Sequence, residues 1–303
     1  MERHIVITGG TGFIGQKLCR ALQQRGTQVS VYSRQDPEQV QSLCGPVRPL
    51  DRLSALPGLG RIDGVINLAG EGIADKRWTR ARKQTLMDSR VALTQELVRH
   101  MNRCKEAPGV LISGSAVGYY GDQGEREVTE DTAPADNDDF AHRMCAEWET
   151  AALQAQDITR VCLSRTGLVV GRDGGFLQRM TLPFRMGLGG RIGHGHQYMP
   201  WIHRDDMVAG LLFLLDNGNT QGPYNLTAPH PVTNAGFTRT LGSVLHRPTL
   251  MPVPALALKA AMGEMSSLLL GGQKALPARL LEAGFEFRYP TLEPALKEVF
   301  PQA

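Results

Sequence analysis

The sequence predicts an α/β fold: a doubly wound parallel sheet with helices on both faces, joined to a smaller and mostly helical C-terminal lobe. Three observations carry that expectation. A short β-type run, Ile5 to Thr8, passes through closely spaced glycines into a helical pattern. Apolar strands then alternate with helical stretches as far as Leu226. Beyond that point prolines punctuate the chain and an Ala/Leu/Met-rich stretch with few charges takes over.

Gly9-Gly10-Thr11-Gly12-Phe13-Ile14-Gly15 sets glycines at 9, 12 and 15 directly after the first strand. Ile14, Leu18, Ala21 and Leu22 recur at helical spacing up to Gly26, which suits a left-handed C′ position. Backbone amides at such a helix start, reinforced by the helix dipole, favour a pyrophosphate. Strand, glycine turn and helix together read as a Rossmann dinucleotide-binding unit. The missing Cβ atoms of Gly9 and Gly12 make room for the diphosphate, and that of Gly15 lets the helix sit close to the strand. The second strand, Val29 to Tyr32, stops at Ser33-Arg34, where sites that prefer NAD carry Asp or Glu. A hydroxyl and a guanidinium suit a phosphate monoester better than a bare diol, so NADP (NADPH) is preferred over NAD. The alternative is a solvated Arg34 near Asp36.

Gly64 to Leu68 is a third strand ending in Ala69-Gly70, and Val110 to Ser113 a fourth ending in Gly114-Ser115-Ala116. Both place small residues at the carboxyl edge of the sheet, where ligands bind in open α/β folds. Val161 to Val170 supplies another strand, with Arg165 inside it and Gly171 at its end. Val208 to Leu215 is helical, and Gly222 to Leu226 resembles the last strand of this half. Residues 1–170 therefore form the dinucleotide-binding domain, to which 204–226 return. Residues 171–203, read as a glycine-rich loop over the site, and 227–303 form the smaller lobe on the substrate side. In that lobe, Thr233 to Leu245 is a helix capped by Thr233 or Asn234, and Ala255 to Leu270 is a further apolar helical stretch.

Composition narrows the function classes. Hydrophobic residues make up 42% and charged residues 21%, which is ordinary globular usage. Net charge is +3, with no stretch of Lys and Arg interleaved with aromatics, so nucleic acid is not an expected partner. The longest apolar run, Met207 to Leu215, is about nine residues against the roughly 20 that span a bilayer, so no membrane is expected. Ile5-Val6-Ile7 runs straight into glycines without a cleavage signal, which points to a cytoplasmic protein. Its five cysteines, Cys19, Cys44, Cys104, Cys145 and Cys162, read as reduced thiols. His194, His196, His203, Asp205 and Asp206 lie close together but lack the supporting ligands of a zinc site, so no metal is expected. Met180, Leu182, Phe184, Met262 and Met265 are candidates for either a substrate pocket or core. Arg179, Arg185 and Arg191 are candidates for anion recognition or for plain surface. The expected partner is an unidentified small molecule, with a homodimer left open.

TGGTGFIG at 8–15, NLAG at 67–70, SGSAVGYYG at 113–121, SRTGLVVG at 164–171 and PWIHRDDM at 200–207 resemble the extended short-chain dehydrogenase/reductase superfamily. That superfamily includes nucleotide-sugar epimerases and dehydratases. PFRMGLGG at 183–190 and the tail from Pro252 to Pro290 look like an atypical branch, the NADP-binding "epimerase family" proteins with their own C-terminal domain. The resemblance implies that Thr11, Phe13 and Ile14 in the glycine turn, Leu68, Ala69 and Gly70 after the third strand, and Val169 border the cofactor. It also implies that Ser33 and Arg34 meet the adenosine phosphate and that Asp51 lies near the adenine. Where the family has an Asn four residues before a Thr, this chain has Arg90 before Thr94. Leu86, Leu93, Leu97 and Met101 share the helical face of Arg90, so its charge needs an anion: a cofactor phosphate, or a carboxylate such as Glu71 or Asp88.

Working superfamily members hold the substrate oxygen with Ser or Thr and exchange its proton through Tyr, whose pKa is lowered by a Lys four residues on. Ser115 matches the Ser. The Tyr and Lys spacing falls on Phe140 and Met144, which move no proton and form one apolar stripe with Trp148 and Ala151 behind the cap candidate Asp138. Tyr119 and Tyr120 are the nearest replacements, as a proton relay, with Tyr119 the candidate, or as aromatic packing. His142 is offset by two residues and points away from the lost pair. The leading expectation is an NADP(H)-dependent oxidoreductase acting on a carbonyl or alcohol, with Ser115 orienting the oxygen and Tyr119 relaying the proton. The alternatives are a non-catalytic NADPH-binding sensor or scaffold, for which the resemblance allows a role in division, and a nucleotide-sugar epimerase.

Overall fold

A computed structural model describes residues 3–136 and 139–301. β1 (His4–Thr8) is buried along its whole length and leads through the glycine turn into α1 (Phe13–Gln24). β2 (Gln28–Tyr32), α2 (Pro37–Cys44), β3 (Arg48–Leu50) and β4 (Gly64–Asn67) continue the alternation. α3 (Arg80–Met87), a π turn over Asp88–Ala92 and α4 (Leu93–Met101) precede β5 (Val110–Ala116). Next come β6 (Glu127–Val128), α5 (Phe140–Leu153), β7 (Arg160–Thr166) and β8 (Leu168–Val170). α6 (Leu177–Arg185), β9 (Tyr198–Met199), β10 (Trp201–His203), α7 (Arg204–Asp216) and β11 (Gly222–Leu226) follow. The remainder holds β12 (Val232–Thr233), α8 (Asn234–Val244), α9 (Ala255–Met262), α10 (Ser267–Leu270), β13 (Lys274–Ala275), α11 (Ala278–Glu282) and α12 (Leu292–Val299).

Seven strands form one parallel sheet in the order β11-β7-β5-β4-β1-β2-β3. Crossover helices cover both faces, as parallel pairing requires. Leu18 and Leu22 of α1, Val40 of α2 and Leu211 and Leu215 of α7 pack on one face. Leu97 and Met101 of α4 and Ala152 of α5 pack on the other. The central strands therefore bury apolar side chains on both faces, and in open α/β folds ligands bind at the carboxyl ends of such strands. A separate core joins Phe184 of α6 and Trp201 of β10 to Phe237 and Leu241 of α8 and Leu296 of α12.

Four expectations change on folding. The run Val161 to Val170 is two strands, because the chain leaves the main sheet at Gly167, where a Cβ would stand 2.6 Å from the Pro200 carbonyl oxygen. β8 then pairs with β10 instead. Segment 171–203 is more than a loop, since it contains α6 and puts Phe184 in the core. Ala255 to Leu270 is broken at Gly263, which takes φ +61°. Asp138 lies outside the described residues, and the cap of α5 is Asp139, whose side chain accepts from the Ala141 amide. Thr233 caps α8 by accepting from the Gly236 amide.

Candidate functional site

β1 lies between β2 and β4, so the glycine turn opens between their carboxyl ends. Gly9 takes φ +70°, and a Cβ there would sit 2.6 Å from the Leu68 carbonyl carbon. Its bare backbone lets the chain just after β4 come this close. At Gly15 a Cβ would stand 2.3 Å from the Gly9 carbonyl oxygen, so its bare backbone lets α1 sit close against the turn at the end of β1. At Gly12 a Cβ would meet only the Gly9 oxygen, at 3.2 Å, leaving the outer side of the turn open. That open face suits a diphosphate approached by backbone amides. Thr11 accepts through its carbonyl from Gln16, and Ile14 turns inward against the core.

Phe13 begins α1 with its ring against the loop after β8: added Cβ atoms at Gly171, Gly174 and Gly175 would lie 3.0, 2.4 and 3.0 Å from it. The Arg204 guanidinium stacks on that ring, 4.6 Å from its centroid, and its buried Nε has no partner. An unsatisfied cationic donor beside the turn fits a pyrophosphate, and periodicity alone does not reveal it. Val169 is half-buried beneath this loop.

Ser33 and Arg34 follow β2, with the Ser33 hydroxyl accepting from the Gln35 amide. Arg34 is largely exposed and donates to Glu71 Oε1 at 3.1 Å. That bond, with a second from Arg82, holds the Glu71 carboxyl below its ordinary value. Asp51 follows β3, exposed, 3.8 Å from Arg52. On the opposite rim, the Leu68 amide donates to the Thr8 carbonyl and the Ala69 amide to the Thr8 hydroxyl, tying β4 to β1. Arg90 lies against Gly70, where an added Cβ would be 3.0 Å from its Cζ. Neither carboxylate suggested for Arg90 pairs with it. Its Nη2 donates to the backbone carbonyl of Glu71 at 2.8 Å, and Asp88 accepts from Gln84. Burial pushes the Arg90 guanidinium below its usual pKa, and the π turn departs from the regular helix on which its apolar face was counted.

Ser115, near the end of β5, is buried and donates to Glu149 Oε1 at 2.6 Å. Glu149 in turn accepts Nε and Nη2 of Arg165, each at 2.8 Å, in a buried bidentate pair. Burial opposes the charge of Arg165, but Glu149 holds its pKa above the usual value. Its Nη1 reaches the Tyr120 hydroxyl at 3.0 Å, and Tyr120 donates to Asn225 at 2.8 Å. Burial pushes Tyr120 up to about 12, so it stays a neutral structural phenol. Tyr119 is half-buried, with the Arg165 guanidinium 3.6 Å from its ring centroid and its carbonyl bonded to His142. The sequence contains one clue to this network that periodicity passed over, an arginine inside a buried strand, which requires an anion.

Phe140 and Met144 are buried with Trp78, Leu86 and Met265, so that helix face is packing surface. Ala141 and Cys145 are the residues that face Gly118 beyond β5, 3.5 and 3.8 Å from an added Cβ. Neither register presents a Tyr or a Lys. Among the remaining candidates, Arg179 bonds Ala74 and Asp75, Arg191 the His194 carbonyl, and the Arg185 carbonyl accepts from Arg247. Leu182 is exposed, whereas Phe184 and Met265 are core. His203, Asp205 and Asp206 are engaged in structural contacts. His203 caps α7 and bonds Glu298, Asp205 pairs with Lys17, and Asp206 accepts the amides of Arg288 and Tyr289.

Comparison with known proteins bears on the fold and the family. Residues 5–227 match the NAD dependent epimerase/dehydratase family, and 253–299 match a domain of unknown function, DUF1731. The epimerase family protein SDR39U1 of Bos taurus is 40% identical over 299 residues, covering 97% of this chain and 99% of its own. The epimerase family protein YfhF of Bacillus subtilis is 40% identical over 298 residues, covering 98% and 97%. The crystal structure of human SDR39U1 (isoform 2) with NADPH superposes with a TM-score of 0.91 at 36% identity, covering 99% of this chain and 100% of that one. Among the described residues no helix is long and apolar enough to cross a membrane. Fold, glycine turn and whole-length similarity together show that the chain belongs to the NAD dependent epimerase/dehydratase family, as an atypical extended short-chain dehydrogenase/reductase with its own C-terminal domain.

Proposed function

We propose that this chain binds NADP(H) in preference to NAD(H) and acts as an oxidoreductase on a small carbonyl or alcohol. The observation that carries the reading is the open glycine turn flanked by Ser33 and Arg34, in a chain whose human relative is described with NADPH. When bound, the nicotinamide supplies or accepts a hydride at C4. Ser115 orients the substrate oxygen: its own proton is committed to Glu149, so its lone pairs accept from a hydroxyl, which suits an alcohol more directly than a carbonyl. Tyr119, stacked on Arg165 beyond the same strand end, relays the proton. Nicotinamide absorbance followed with a broad panel of carbonyls and alcohols tests this, with Ser115→Ala expected to remove turnover. Silence across the whole panel refutes the oxidoreductase.

A second reading, a non-catalytic NADPH-binding sensor, is favoured by one observation. Phe140 and Met144 are apolar core, and Ala141 and Cys145 beside them supply no replacement acid–base pair. It expects NADPH binding without turnover and a protein partner whose capture depends on the cofactor's redox state. Epimerisation through a transient keto sugar needs proton exchange as well as reversible hydride transfer, so it is the reading most weakened by Phe140.

A further inference from the structure

Resting on the NADP reading above, we infer that Glu71 sets cofactor affinity, as a carboxylate that competes with the ribose 2′-phosphate for Arg34. β2 and β4 flank β1, so Arg34 and Glu71 rise from opposite sides of the glycine turn, about 10 Å apart by two strand spacings. Their side chains meet across it, Arg34 Nη2 donating to Glu71 Oε1 at 3.1 Å. The other carboxylate oxygen accepts Nη1 of Arg82 at 3.4 Å. The Glu71 main chain is fixed on both sides, its amide donating to Ser89 Oγ at 3.1 Å and its carbonyl accepting from Arg90 at 2.8 Å. A rigid backbone therefore presents one carboxylate between two arginines.

The two arginines are not equivalent. The Arg34 side chain is 82% exposed and that of Arg82 is 9% exposed. Arg82 is also anchored through Nη2 to the Gly72 carbonyl at 2.6 Å. Arg34 can exchange partners at little cost, whereas Arg82 cannot leave Glu71 without stranding a buried charge. A 2′-phosphate replaces the carboxylate on Arg34 like for like and, carrying up to two negative charges, binds it more strongly. Glu71 then rests on Arg82 alone, close enough to repel the arriving phosphate. The carboxylate thus holds Arg34 in place without cofactor and tempers affinity for the phosphorylated one.

Calorimetry on the full chain with adenosine 2′,5′-bisphosphate and with 5′-AMP separates the possibilities. Glu71→Gln is expected to tighten the bisphosphate roughly three- to tenfold and to leave 5′-AMP within about twofold, because only the former needs Arg34. Glu71→Ala should move the same way. In an Arg34→Ala background, Glu71→Gln should tighten the bisphosphate by less than it does with Arg34 present, because only the charge repulsion remains to be relieved. Unchanged or weaker bisphosphate binding in Glu71→Gln, or equal tightening of both ligands, overturns the competition. If Arg34→Ala alone leaves bisphosphate affinity intact, the NADP reading of Arg34 fails, which is a separate and distinguishable result. Thermal melting of each variant confirms that it is folded.

Discussion

Replacing Arg165 with Met tests whether the network behind Ser115 is an obligate charge pair. The substitution removes two 2.8 Å bonds to Glu149 and the 3.0 and 3.2 Å bonds to the Tyr120 hydroxyl and the Glu130 carbonyl. Tyr120 keeps Asn225 as a partner, but Glu149 is left buried with a single hydroxyl donor. Breaking a buried pair from one side costs about 3–5 kcal/mol, chiefly as the desolvation of the stranded charge. Removing both charges with Glu149→Leu and Arg165→Met should recover most of it, because a buried ion pair and a well-packed apolar pair of similar volume are close in free energy. Urea denaturation followed by far-ultraviolet circular dichroism, with all four members of the cycle, reads the coupling directly. A single variant losing less than about 1 kcal/mol, or a double variant no better than the single, would refute the argument that the charges are obligate partners.

Three further outcomes are expected. Gly15→Ala places a Cβ 2.3 Å from the Gly9 oxygen and 2.6 Å from the Gly10 Cα, both backbone atoms, so the turn must shift. Stability should fall by about 1–3 kcal/mol in a thermal melt and NADPH affinity by at least about tenfold in calorimetry. Arg34→Ala should weaken NADPH by about ten- to a hundredfold, the worth of a charge-assisted bond, and leave NADH nearly unchanged; equal losses for both would count against the phosphate contact. His203 is held below its ordinary pKa by burial, against the opposing pull of Asp205, Glu298 and Asp206. The unfolded chain therefore takes up this proton first, so stability present above pH about 6.5 declines as pH falls through that value toward the lower folded one. His203→Gln should flatten the dependence of Tm on pH between about 7 and 5.

The glycine turn and the absence of Tyr and Lys at positions 140 and 144 were legible in the residues, because each depends on spacing within one or two neighbouring elements. Ile5 to Thr8 and Ile14 to Leu22 carry their periodicities locally, and tertiary packing had only to confirm them. The short β3 and α2 escaped because Pro37 to Leu50 offers too few apolar positions to fix a period. The break at Gly167 escaped because both halves of Val161 to Val170 are equally apolar, and only the approach of Pro200 shows which sheet each joins.

The chain by itself determined that a glycine bend between a strand and a helix opens the fold and that Phe140 and Met144 share the apolar face of a later helix. Only the folded structure decided which partner each of three arginines takes. Arg165 belongs to Glu149 and Ser115, Arg90 to a backbone carbonyl rather than a carboxylate, and Arg34 to Glu71 across the mouth of the bend. The reason is the strand order: β2 meets β4 only across β1, and α5 meets β5 and β7 only after the crossovers are made, so these partners come from segments that local spacing does not relate.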